Sequence, residues 1–193
     1  MAARRRIGVM GGTFDPIHIG HLAAAAHVQH HLALEEVVFV PTGQPWQKQE
    51  REVTSAEHRY VMTVLATDRT PFQVSRVDVD REGPTFTVDT LRDLHRAYDP
   101  ADLFFIMGAD ALAGVATWRD PDEVRALAHM VAVTRPGHPI TTDLPPGAAT
   151  LLEIPSLDVS STMCRERVQR GQPIDFLVPA PVVDYIRKHH LYC

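Results

Sequence analysis

Cysteine is scarce: two residues in 193, Cys164 and Cys193. No disulfide framework can be built from that, so a reducing cytoplasm is the expected setting. No apolar run approaches the roughly 20 residues of a membrane-spanning helix. The basic start Arg4-Arg5-Arg6 is followed by Ile7-Gly8-Val9-Met10 and then Gly11-Gly12, too short and broken for the apolar part of a secretory leader. A soluble protein without a membrane partner is expected. A basic excess is missing too. The net charge of -5 disfavours a nucleic-acid partner, because a polyanion attracts a basic face. Any anion site must therefore be local. The sequence holds no repeat, no low-complexity stretch and no linker, so residues 1–193 are read as a single domain. A hydrophobic share of 45% and a charged share of 22% suit a globular chain with a real core.

What is present alternates between two periods. Strands are expected at Arg6–Met10, Val37–Val40, Phe72–Val79, Leu103–Met107, Met130–Val133 and Leu151–Ile154. Between them helices are expected from His18 to Leu32, from a capping box at Thr54–Glu57 to about Asp68, over Thr87–Arg96, and over Ala109–Trp118. Further helices follow Asp120-Pro121, follow Ser160 or Ser161 as far as Gly171, and close the chain over Pro181–His190. Gly137–Gly147, rich in Pro, Gly and Thr, reads as a long loop. Strands alternating with helices predict an α/β fold: a Rossmann-like open, mostly parallel sheet with helices on both faces.

The informative stretch runs from Gly11 to His21, GGTFDPIHIGH, at the turn from the first strand into the first helix. Open α/β sheets bind ligands at such turns. Neither a GxGxxG nor a GxxxxGK[ST] pattern occurs. Glycines at a strand-to-helix turn nevertheless let backbone N–H groups reach a phosphate beside the positive end of a helix dipole. His18 and His21, three apart, would share one face near that helix start, and Gly20 between them removes a side chain. Two donors of tunable charge aimed at one anion suit a reaction that builds charge on phosphate. HxGH alone would be an ordinary surface pair; the eleven-residue segment in its place after a strand is what favours chemistry. A second cradle is read at Ser160-Ser161-Thr162, whose hydroxyls and free N–H groups open a helix with Arg165 one turn on.

Gly11 to His21 resembles the opening signature of the HxGH/TxGH nucleotidyltransferases, and within them of the bacterial nicotinate-nucleotide adenylyltransferases. The resemblance covers nearly the whole chain. It extends to Val159-Ser160-Ser161-Thr162-Met163-Cys164-Arg165, to Gly108-Ala109-Asp110-Ala111-Leu112 followed by Trp118, to Pro84–Thr90 and to Arg135-Pro136-Gly137. It implies transfer of AMP from ATP to nicotinate mononucleotide. ATP would be held by Gly11, Gly12, Thr13, Phe14, Gly20, Gly108, Asp110, Ser161, Thr162 and Arg165. His18, His21, Arg165 and a mobile Lys48 would act on the phosphates. Thr85 would receive the nicotinate carboxylate, Trp118 would stack on the pyridine ring, and Asp110 would accept from ribose hydroxyls. Where the family usually has Pro-His before the lysine, this chain has Trp46-Gln47.

The expected mechanism is direct in-line attack of the mononucleotide phosphate on the α-phosphorus of ATP. Positioning and charge stabilisation carry it, without a side-chain nucleophile. Mg2+ would travel on the ATP phosphates, with few protein ligands. Alternatives are nicotinamide mononucleotide or phosphopantetheine as acceptor, or a non-catalytic nucleotide-binding module. His27, His31, His189 and His190 are read as structural or solvated, and Cys164 as a small core residue. A homo-oligomer is compatible with the sequence.

Overall fold

The computed structural model describes residues 4–45, 53–134, 147–155 and 157–193. Its main sheet has six strands: β1 (Arg5–Gly12), β2 (Glu36–Pro41), β4 (Gln73–Val74), β6 (Ala101–Gly108), β7 (Ala128–Thr134) and β8 (Ala149–Glu153). Their order is β4-β2-β1-β6-β7-β8, and every pairing is parallel. The sheet is thus wholly parallel among the described residues. The order reverses between β1 and β6, which opens a crevice beyond their C-terminal ends. A second sheet pairs two dipeptides, β3 (Gln44–Pro45) and β5 (Pro84–Thr85).

Period-two alternation divides each central strand between two cores. Met10, Val37, Phe39, Ile106 and Val131 pack on one face, against α1 (Ile19–His31), α2 (Ala56–Thr67), α6 (Ser161–Gln169) and α7 (Ala180–Lys188). Ile7, Val9, Val38, Val40, Phe105 and Met130 pack on the other, against α3 (Thr87–Tyr98), α4 (Ala109–Ala113) and α5 (Pro121–Leu127). Both faces being covered is why these strands read as unbroken apolar runs. Cys164 is fully buried, and burial pushes its thiol up.

Three local expectations are corrected. The strand expected over Phe72–Val79 is only Gln73–Val74, because the chain then turns: the Ser75 hydroxyl accepts from Val77 N–H at 3.3 Å and Asp80 N–H donates to the Arg76 carbonyl at 2.9 Å. The helix expected over Ala109–Trp118 stops at Gly114 and continues as a 3-10 turn, Val115–Thr117. The cap of α2 is Ser55, whose hydroxyl accepts from His58 N–H, while Glu57 pairs with Arg76 instead of closing a box. The cap of α6 is Ser160, accepting from Met163 N–H at 3.1 Å. Most of the Gly137–Gly147 loop lies outside the described residues.

Candidate active site

The loop from Thr13 to His18 carries the chain from β1 into α1. His18 is the residue before the helix, in an extended conformation (φ −141°), so the pair is assembled by the helix start and not along a helical face. The His18 N–H donates to Nδ1 of His21 at 3.2 Å, and the two rings stack with centroids 3.7 Å apart. With Nδ1 accepting, a neutral His21 carries its proton on Nε2. Phe14, left-handed at φ 49°, meets the His21 ring edge-on at 5.0 Å. The Ile19 N–H donates to the Leu177 carbonyl and the His21 N–H turns back to the His18 carbonyl. Gly20 lies between them. A Cβ there would stand 3.0 Å from His18 Nδ1 and 3.1 Å from Val159, so close approach requires the glycine.

Two cavities flank the end of β1. The first, about 490 Å³, is lined by Phe14, His18, Gly20, His21, Gly108, Asp110 and Val159 among others. The second, about 310 Å³, is lined by Thr13, Thr42, Asp78, Thr85, Phe86, Thr90, Trp118 and Arg119 among others. Gly11, Gly12 and Met107 border both, so the two are lobes of one crevice at the reversal in strand order. Asp110 belongs to the first lobe, and Thr85 and Trp118 belong to the second.

The second lobe is stiffly built. Thr85 Oγ1 accepts from Gln44 N–H at 3.3 Å, and a Cβ on Gly43 would fall 2.1 Å from the Asp78 carbonyl. Asp78 is buried and takes the Thr90 hydroxyl at 2.8 Å and Arg81 at 2.6 Å. Burial pushes its carboxyl up, against the pull of Thr90 and Arg81. Trp118 packs edge-to-face on Phe105. Arg119 lies over the Phe86 ring and pairs with Asp89 at 3.6 Å and Asp120 at 3.7 Å.

Ser161, Thr162 and Arg165 are not among the residues lining either lobe. They fasten the start of α6 to the β1–α1 loop. Ser161 Oγ donates to the Pro16 carbonyl at 2.8 Å, and Arg165 donates to the Asp15 carbonyl at 2.7 Å and to Thr162 Oγ1 at 3.1 Å. The two helix starts are therefore neighbours, and Val159, just ahead of α6, lines the first lobe. Lys48, with Trp46-Gln47, and Arg135-Pro136-Gly137 lie outside the described residues.

Arg59 escaped the sequence reading. It is 1% exposed, and its guanidinium donates to the carbonyls of Thr54 at 2.7 Å, Thr13 at 2.8 Å and Gly43 at 2.7 Å. One cation thus ties the loop after β1 to the loop after β2 and to the start of α2. Burial lowers its affinity for the proton, and Asp15 and Tyr192 oppose that. The available signal was its spacing: Arg59, Met62, Thr63 and Ala66 share the buried stripe of α2. Arg119 carries no local signal, and Phe86 is marked only as part of the Pro84–Thr90 segment.

A parallel sheet with a two-lobed crevice at its switch point, and a stacked histidine pair under a glycine-rich strand end, defines a nucleotidyltransferase. Residues 9–167 match the family described as cytidylyltransferase-like. The chain is 62% identical over 193 residues to a protein of Clavibacter michiganensis subsp. michiganensis named as a probable nicotinate-nucleotide adenylyltransferase, covering 99% of this chain and 96% of that one. A relative of the same name from Streptomyces coelicolor is 61% identical over 185 residues, covering 95% and 98%. The Plasmodium falciparum nicotinic acid mononucleotide adenylyltransferase complexed with NaAD superposes with a TM-score of 0.77 over 98% of both chains at 19% identity, a likeness of fold. The chain belongs to the cytidylyltransferase-like family and, within it, to the nicotinate-nucleotide adenylyltransferases.

Proposed function

We propose that the chain transfers AMP from ATP to nicotinate mononucleotide, forming deamido-NAD and pyrophosphate. The observation that carries this is the two-lobed crevice: a first lobe holding His18 and His21, a second holding Thr85 and Trp118, and Gly11-Gly12 on the border of both. The names of the close relatives agree, and solved structures of the same fold are complexed with NaAD and with APC. ATP fits the first lobe, with its α-phosphorus beside the shared glycines; the mononucleotide fits the second.

An oxygen of the mononucleotide phosphate attacks the α-phosphorus and forms the new P–O bond. The bond to the bridging oxygen breaks, and pyrophosphate leaves with that electron pair. The attacking oxygen is already an anion, so positioning and charge stabilisation suffice. His21 donates from Nε2, beside His18, to the phosphate oxygens as charge builds. N–H groups of Gly12, Thr13 and Phe14 assist, with Gly20 leaving room and α1 supplying its positive end. The resemblance assigns Ser161, Thr162, Arg165 and Lys48 to the departing pyrophosphate; since the Ser161 hydroxyl and Arg165 bond loop carbonyls in this structure, that role falls to their remaining N–H donors. Gly108 and Asp110 take the ribose of ATP, Thr85 takes the nicotinate carboxylate, and Trp118 stacks on the pyridine ring.

Among the described residues no three His, Cys, Asp or Glu stand together, and Asp110 is the only carboxylate in the lining of the first lobe. A Mg2+ ion carried by ATP would neutralise charge on the triphosphate. No helix of the described residues is long and apolar enough to cross a membrane. With two free cysteines, the cytoplasm is the proposed setting.

Pyrophosphate release from ATP, measured with nicotinate mononucleotide, nicotinamide mononucleotide and phosphopantetheine side by side, tests this reading. The expected result is the fastest turnover with the nicotinate substrate. Faster release with another acceptor reassigns the second lobe, and ATP binding without release with any of them makes the chain a binding module.

A further inference from the structure

Tyr192 lies in the tail after α7 and takes no part in the scheme above, yet its side chain ends at the β1–α1 loop. The tail leaves the helix through a Schellman-type end: His190 N–H donates to the Arg187 carbonyl and Leu191 N–H to the Ile186 carbonyl. His190 is left-handed at φ 50°, where glycine ordinarily stands, and Tyr192 is left-handed again at φ 66°. Two residues with β-carbons in that region show that tertiary contacts fix the tail. The central contact is the Tyr192 hydroxyl, which donates to Oδ1 of Asp15 at 2.8 Å. Asp15 is 2% exposed. Burial, with the Asp15 carboxylate beside it, holds the phenol far above its ordinary range, so it remains a donor at any working pH.

Asp15 sits in the middle of the loop whose carbonyls are already gripped: Thr13 by Arg59, Asp15 by Arg165 and Pro16 by Ser161. The C=O and N–H of one peptide point in opposite directions. Holding those carbonyls from behind therefore turns the Phe14 and Ile17 N–H groups away from Arg59 and Ser161. Tyr192 adds a hold on the Asp15 side chain itself. We propose that Tyr192 is a positioning residue: by bonding the Asp15 carboxylate, the tail fixes the loop that presents Gly12–Phe14 and the His18–His21 pair to the reacting phosphates. This rests on the adenylyl-transfer reading.

Tyr192→Phe removes one oxygen and keeps the ring. Kinetics and amide hydrogen exchange are measured on parent and variant, at a temperature where both are fully folded by circular dichroism. The expected result is kcat lower by about tenfold, KM for the mononucleotide within about twofold, and faster exchange confined to residues 13–18. Asp15→Leu, similar in size and without an acceptor, carries the same test from the other end of the bond and serves if Tyr192→Phe does not fold. The double variant should be no slower than Asp15→Leu alone. A lower melting temperature with parental kcat, a fall in kcat without faster exchange at 13–18, or additive losses in the double variant would overturn the proposal. If the parent releases no pyrophosphate with any acceptor, the adenylyl-transfer reading fails instead, and the exchange data still decide whether the tail holds the loop.

Discussion

His21 does two things with one ring. Its Nδ1 accepts the His18 N–H at the helix start, and the residue lines the first lobe, where its other nitrogen is proposed to act. His21→Ala should lower kcat several hundredfold and cost about 1 kcal/mol of stability through the lost acceptor, read from steady-state rates and thermal melts. A folded variant with near-parental kcat removes His21 from the mechanism. Trp118→Ala should raise KM for the mononucleotide about tenfold while leaving KM for ATP nearly unchanged; an unchanged mononucleotide KM would rule out stacking. Much of this scale was readable in the sequence, because His18, Gly20 and His21 are chain neighbours whose relation is set within a single turn. Arg59 was not readable. Two of its three carbonyl partners, Thr13 and Gly43, lie 46 and 16 residues away in sequence, and only folding brings them to one guanidinium.

Elements were legible where burial imposes a period. The apolar runs of β1, β2, β6 and β7 follow from a sheet covered on both sides, and the stripe of α3 from one buried face. They were less legible where local side-chain bonds override propensity, as at Ser75 and Arg76, or where an element is too short to have a period. The β3–β5 pair, two residues each with a proline in both, is such a case, although it carries Thr85 into the second lobe. Arg59 fastens Gly43, just ahead of β3, to the loop after β1 and to the start of α2. Arg59→Met should therefore leave three carbonyls, that of Gly43 buried and those of Thr13 and Thr54 partly so, without their donor and cost about 3–5 kcal/mol, on the order of 10 °C in melting temperature for a chain of this size. A melt within a degree or two of the parent would mean that the loops hold without it.

For the whole molecule the decisive feature is that strand order reverses once, between β1 and β6, so both lobes open at one place and share one glycine edge. A dinucleotide product at a hundred times its Kd should stabilise the fold by about 2.7 kcal/mol, or roughly 5–11 °C. ATP alone, at equal occupancy of its own lobe, should stabilise it by no more than the same amount; a thermal-shift titration with each ligand checks both. The shared edge also shapes turnover. On the placement proposed, a finished dinucleotide would straddle it and compete with each starting material in turn, so accumulating product would throttle the enzyme from either side. A tethered compound spanning both lobes would exploit the same border: binding one end raises the local concentration of the other, and affinity would grow without any new contact.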